Sequence, residues 1–128
     1  MPAIERRFYS AMMTGPDPDR LRYAQIAGAA ARHAQAWLTA EREAAAVAEL
    51  AETAAGRADL LAECAGTALG FGEGGPDAAR YRQMAELCIA AGADRSLIGR
   101  WIAVGRERAA AARARPHAGP RAPERPAP

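Results

Sequence analysis

The stretch from Leu21 to Leu69 contains no proline and is dominated by alanine, the residue with the highest helix propensity. Apolar residues recur along it every three or four positions, as in one face of a helix. An unbroken helix of this length would extend about 75 Å, which is longer than a compact domain of 128 residues. We therefore expect a break near Leu38 and Thr39 or at Gly56, giving a long alanine-rich helical hairpin.

The segments on either side of this stretch also favour helix. Ile4, Phe8, Ala11 and Met12 stand at helical spacing, which predicts a short amphipathic helix over residues 3–13. The sequence Thr14-Gly15-Pro16 ends that helix. Asp17 is then placed as an N-cap, with Pro18 at the first helical position of the next helix.

Glycines mark the predicted helix boundaries in the second half of the chain. The run from Gly70 to Pro76 is the clearest predicted loop, and a helix is expected from Asp77 to Ala91. Gly92 stands where a helix would stop with positive φ, and a last helix begins at about Asp94. The sequence thus predicts an all-α fold, a four- or five-helix domain over residues 1–115. Residues 116–128, rich in Pro and Arg, are predicted to form a disordered basic tail.

Charge is distributed unevenly along the chain. Residues 1–105 hold eleven arginines against thirteen acidic residues, whereas residues 106–128 hold six against two. A basic end attracts phosphates or an acidic partner over about 8 Å at physiological salt. The chain has neither Lys nor Asn, which indicates a GC-rich source genome of the actinobacterial kind and makes arginine a weaker functional clue.

Localisation is constrained by three features of the sequence. No apolar signal core follows the first residues, and no run of about 18 apolar residues exists to span a bilayer. Only two cysteines occur, Cys64 and Cys88, each in an apolar helical context. We therefore expect a cytoplasmic protein with reduced thiols and no membrane partner.

Residues 84–106 resemble a helix-turn-helix DNA-binding segment. In that motif a small residue four before the turn glycine packs against the second helix, and apolar residues six and nine beyond the glycine fill the core. Cys88, Gly92, Ile98 and Trp101 occupy those four positions. An ordinary helical corner needs a similar spacing and is the alternative interpretation.

The resemblance implies a set of DNA-contacting residues. The second helix would enter the major groove of double-stranded DNA, with Gly99 and Ala103 facing it beside the polar side chains. Arg100 would reach guanine and Arg95 a phosphate. The predicted DNA-binding residues are Arg95, Ser96, Arg100 and Arg106.

No enzyme signature is found in the chain, and no cofactor, metal or small-molecule substrate is implied. The spacing Gly70-x-Gly72-x-x-Gly75 matches a dinucleotide-binding loop, but no strand precedes it, so a helix connection is the simpler interpretation. His33 is expected to be a half-buried structural residue. Cys64 and Cys88 could meet in space, yet with the histidines they form no known zinc spacing.

The acidic residues of the middle of the chain are expected to form a solvated helix face, or else a docking face for a basic partner. They are Glu41, Glu43, Glu49, Glu52, Asp59 and Glu63.

Two functions remain open from the sequence. The first is a small, non-enzymatic DNA-associated or regulatory accessory protein of a chromosome or plasmid. The second is a helical interaction module without DNA contact, in which the alanine seam and Trp37 or Trp101 serve a homodimer or a protein partner, for example in plasmid transfer.

Overall fold

The structure is a computed structural model that describes residues 17–35 and 38–115. These residues form five helices and no strand, which confirms the all-α prediction. The helices are α1 (Pro18–Ala34), α2 (Ala40–Ala54), α3 (Ala58–Gly72), α4 (Ala78–Ala90) and α5 (Arg95–Ala114). The predicted helix over residues 3–13 and the predicted tail over 116–128 lie outside the described residues.

The helix boundaries follow local signals in the sequence. The Asp17 carboxylate accepts a hydrogen bond from the Asp19 N–H at 2.9 Å, so Asp17 caps α1 as predicted. The long alanine-rich stretch breaks at both of the expected places. Thr39 caps α2, and Gly56, with φ of 78°, separates α2 from α3.

The third helix is the centre of the domain. Every residue from Leu60 to Ala68 is buried, whereas each of the other helices has an exposed face. The main core consists of residues from α1 to α4, together with Ala93 in the connection after α4. The fifth helix packs mainly on α3, and Leu97 and Ile98 near its start lie against this core.

Glycines allow α3 and α5 to cross at backbone contact. A Cβ atom added to Gly66 would lie 2.5 Å from both the Ile98 carbonyl oxygen and the Trp101 Cβ. A Cβ atom added to Gly70 or Gly105 would lie even closer to the backbone of the facing helix. Only glycine fits at these three positions, since real Cβ atoms do not approach other atoms so closely.

This crossing corrects the predicted loop. Gly70 and Phe71 were expected to lie in an irregular connection, but both belong to α3, which continues to Gly72. Glycine is normally unfavourable within a helix because of its conformational freedom. Here the close approach of α5 requires a glycine at position 70. Because Gly70 and Gly72 both belong to α3, the glycine spacing does not form a dinucleotide-binding loop.

One acidic residue departs from the predicted solvated face. Glu63 is only 3% exposed, and its two carboxylate oxygens accept hydrogen bonds from both terminal nitrogens of Arg20, each at 2.7 Å. The expectation for Glu63 was wrong because this long-range partner in α1 compensates its burial. Glu41, Glu43, Glu52 and Asp59 are exposed as predicted.

Candidate nucleic-acid interface on the last helix

The connection between α4 and α5 is short and well anchored. Gly92 adopts φ of 117°, which confirms the predicted positive-φ stop. The Asp94 carboxylate accepts hydrogen bonds from the Ser96 N–H at 3.0 Å and from the Ser96 hydroxyl at 2.7 Å, and so caps α5. The Asp94 N–H donates to the carbonyl of Ala58 at 3.0 Å, which ties the turn to the start of α3.

The two helices joined by this turn make hardly any contact with each other. Cys88 is buried next to Cys64 of α3, while Ile98 and Trp101 lie against Gly66 of the same helix. Both helices thus pack on α3. Residues 84–106 contain two helices joined by a turn, but the main packing partner of each helix is α3.

The aromatic residue predicted for the core of that motif is less buried than expected. Trp101 and Ile98 are both intermediate in exposure, and the buried positions of α5 are Gly105 and Ala109. The reason is the glycine crossing: α5 approaches α3 so closely that its larger side chains flank the contact instead of filling it.

All four predicted DNA-binding residues are exposed on α5. Arg95 is the first residue of the helix and Arg100 lies just over one turn later. Ser96 is engaged with Asp94 in the cap. Arg106 forms an ion pair with Glu73 at the end of α3, and this guanidinium lowers the pKa of the Glu73 carboxyl.

The helical repeat shows how these side chains are arranged around α5. At about 100° per residue, Arg95 and Arg106 lie within about 20° of each other, and Arg100 is about 140° away from Arg95. Gly99 and Ala103 fall between these two edges, and both are exposed. The outward surface of α5 is therefore a strip of mostly small residues that also contains the exposed Glu107, about 120° from Arg95, with Arg95 and Arg106 along one edge and Arg100 on the other.

A further arginine belongs to this surface and was not among the predicted residues. Arg113 is exposed and stands 18 residues after Arg95, which is five full turns of an α-helix. It lies in line with Arg95 and Arg106. The spacing alone could have identified it.

Positive charge is concentrated on this helix. Helix α5 has five arginines and one glutamate, a net charge of +4. The described residues before it, from Asp17 to Asp94, have seven arginines and twelve acidic residues, a net charge of −5. The acidic helix α2 packs on the far side of the core and makes no substantial contact with α5. The described domain therefore has its positive charge on α5 and its negative charge on the other helices and their connections.

The other candidate residues are engaged in structural contacts. His33 is half-buried as predicted, and its Nε2 lies 2.8 Å from one carboxylate oxygen of Glu49, while Arg32 pairs with the other oxygen. In the described residues, no group of three or more His, Cys, Asp or Glu side chains is placed to hold a metal ion. None of the five described helices combines the length and the apolar character that crossing a membrane requires.

No protein-family model matches the chain, and neither a curated protein nor a solved structure is detectably similar to it.

Proposed function

We propose that this protein is a small, non-enzymatic DNA-associated accessory protein whose outward α5 surface contacts the phosphates of duplex DNA. The observation that supports this most directly is the charge of +4 on one exposed helix of a domain that is otherwise acidic. A helix of this kind attracts a polyanion, while the acidic remainder limits the approach to one orientation.

The shape of α5 suits a DNA groove. The helix has 20 residues and a length of about 30 Å, and an α-helix with side chains is about as wide as the major groove, roughly 12 Å. Small residues such as Gly99 and Ala103 would allow the backbone to approach, while Arg95, Arg106 and Arg113 reach phosphates on one side and Arg100 those on the other.

The packing of α4 and α5 favours phosphate contact over sequence reading. A helix-turn-helix positions its reading helix through contacts between its two helices, and here both helices pack on α3 instead. Arg106 would have to exchange Glu73 for a phosphate. We therefore propose modest, largely sequence-independent affinity, as befits a regulatory or plasmid accessory factor.

A salt-titrated binding experiment with random duplex DNA tests the proposal. Four phosphate contacts should give a plot of log affinity against log salt with a slope of about −3.6. Arg100→Ala should weaken binding and reduce the slope by about one unit. Arg42→Ala removes an exposed arginine from acidic α2 and is the matched control. Absence of binding at low salt, or equal losses in both variants, would refute DNA contact.

A helical interaction module without DNA contact is the second candidate. It is favoured by the half-buried apolar residues beside the glycine crossing, Leu97, Trp101 and Val104, which a partner helix could cover. Trp37, the other aromatic residue considered for this role, lies outside the described residues. Sedimentation analysis that shows a dimer insensitive to salt, and weakened by Leu97→Ser, would favour this candidate.

A further inference from the structure

An apolar groove of about 260 Å³ opens between α1, α3 and α4. Its walls include Tyr23 and Ala27 of α1, Phe71 of α3, and Tyr81 and Met84 of α4. Arg108 of α5 lies at its edge and is the only charged residue that lines it. The groove is therefore suited to an apolar side chain and not to an ion.

The groove exposes aromatic surface to solvent. Phe71 is 37% exposed, although its ring meets the Tyr81 ring edge-on with 5.5 Å between the centroids. Tyr23 is half-buried, and that burial raises the pKa of its hydroxyl. Covering such a surface with another apolar group would be favourable by about 25 cal/mol for each Å² removed from water.

The chain itself supplies a segment suited to cover this groove. Residues 1–16 lie outside the described residues and join the domain at Asp17, where α1 begins. The sequence predicts an amphipathic helix over residues 3–13, with Ile4, Phe8, Ala11 and Met12 on one side. We propose that this segment folds back along α1 and places Phe8 and its apolar neighbours in the groove.

The lengths of the two parts agree. Tyr23 and Ala27 follow Asp17 by six and ten residues, so they lie about 9 to 15 Å along α1. A helix over residues 3–13 would be about 16 Å long. Thr14, Gly15 and Pro16 are left as a three-residue connection, a usual length for a turn between antiparallel helices.

The covalent link favours this occupant over a separate partner. A segment joined by a short connection is present at an effective concentration in the millimolar range, so a small apolar contact suffices to hold it. A second copy of the chain would occupy the groove to the same extent only at a millimolar concentration in solution.

A double-mutant cycle in the full chain tests the contact. Phe8→Ala should lower the equilibrium constant for folding about tenfold in urea titrations, and the loss should fall below about threefold in a Phe71→Ala background. Two substitutions outside the contact are the controls: Arg6→Ala, on the polar side of the predicted helix, and Leu21→Ala, at an exposed α1 residue that does not line the groove.

Proton NMR of the unmodified chain gives an independent measurement. Nuclear Overhauser effects between the Phe8 ring and Tyr23 or Met84 should be present and unchanged on dilution of a monomeric sample. The proposal is overturned if Phe8→Ala has no more effect than Arg6→Ala. It is also overturned if Phe8 and Phe71 are not coupled, or if the contacts vanish on dilution, which would assign the groove to a second copy.

Discussion

Gly70 of α3 lies against the carbonyl oxygen of Ile102 in α5, so close that no side chain fits between the two helices. Gly70→Ala should therefore destabilise the fold, by about 1 to 3 kcal/mol, because the two backbones would have to separate. Gly99→Ala is the matched control: Gly99 is also helical, but nothing lies within 4 Å of its added Cβ. This change should raise stability by up to about 1 kcal/mol.

Urea unfolding followed by circular dichroism measures both effects. The close crossing would be disproved if the two variants changed the free energy of unfolding in the same direction. Since Gly99 lies on the proposed DNA surface, Gly99→Ala also shows whether an added methyl group there weakens binding.

The buried ion pair between Arg20 and Glu63 gives a second prediction. Arg20→Ala leaves the Glu63 carboxylate buried without its partner and should cost roughly 2 to 3 kcal/mol of stability. The value is below that of a fully buried pair because Arg20 is itself half exposed. Replacing both residues with Met should recover most of the loss. A double variant as unstable as Arg20→Ala would show that the pair is not the cause.

Arg57 gives a prediction about pH. Its guanidinium hydrogen bonds to Asp19 and Asp59 and lowers the pKa of both carboxyl groups below the ordinary value of 3.8. Groups with depressed pKa values stabilise the folded state above their unfolded pKa and lose that contribution on acidification. The stability difference between the unmodified protein and Arg57→Gln should therefore be constant above about pH 5 and shrink below 3.8.

Thermal melts from about pH 7 down to about pH 2.5 measure this difference, and salt should reduce it because all three side chains are substantially exposed. A gap between the two proteins that widens on acidification would contradict the assignment.

Local signals in the sequence were sufficient for much of this fold. The cap at Asp17, the breaks at Thr39 and Gly56, and the positive-φ stop at Gly92 each depend on a few adjacent residues. Contacts between distant segments were not predictable in this way. The partner of Glu63 is 43 residues away in α1, and nothing around Glu63 indicates it.

The glycine crossing was only partly predictable from the sequence. Gly66 and Gly70 stand four residues apart on one helix face, a spacing that allows helices to approach closely. That signal was hidden because Gly70 begins a cluster of glycines that is typical of a loop. Which helix would fill the contact depended on Gly105, which is far away in the sequence. The exposure of the candidate site residues was predicted, but not the packing beneath them.

The buried thiols give a prediction about reactivity. The neighbouring Cys64 thiol together with burial raises the pKa of the Cys88 thiol. Thiolate is the reactive form, so both cysteines should react with Ellman's reagent far more slowly in the folded protein than in urea. Rapid reaction of either thiol without denaturant would mean that the core between α3 and α4 opens readily.

The last helix allows stability and binding to be separated by two changes one residue apart. Trp101 is half-buried at the edge of the glycine crossing, so Trp101→Ala should cost about 1 to 3 kcal/mol of stability, less than the 3 to 5 kcal/mol usual for a fully buried Trp. Arg100 is exposed, and Arg100→Ala should leave the free energy of unfolding within about 0.5 kcal/mol of the original.

The affinity for duplex DNA should be affected in the opposite order, more by Arg100→Ala than by Trp101→Ala. Arg100→Ala removes a charge from the outward surface and should weaken affinity at low salt, whereas Trp101→Ala, measured well below its unfolding transition, should bind nearly as tightly as the unmodified protein. The reason is that Trp101 lies beside α3 and away from the strip between the arginines. If Trp101→Ala abolished binding while the fold remained intact, the contact surface would be the apolar side of α5, and the interaction-module candidate would replace the DNA proposal.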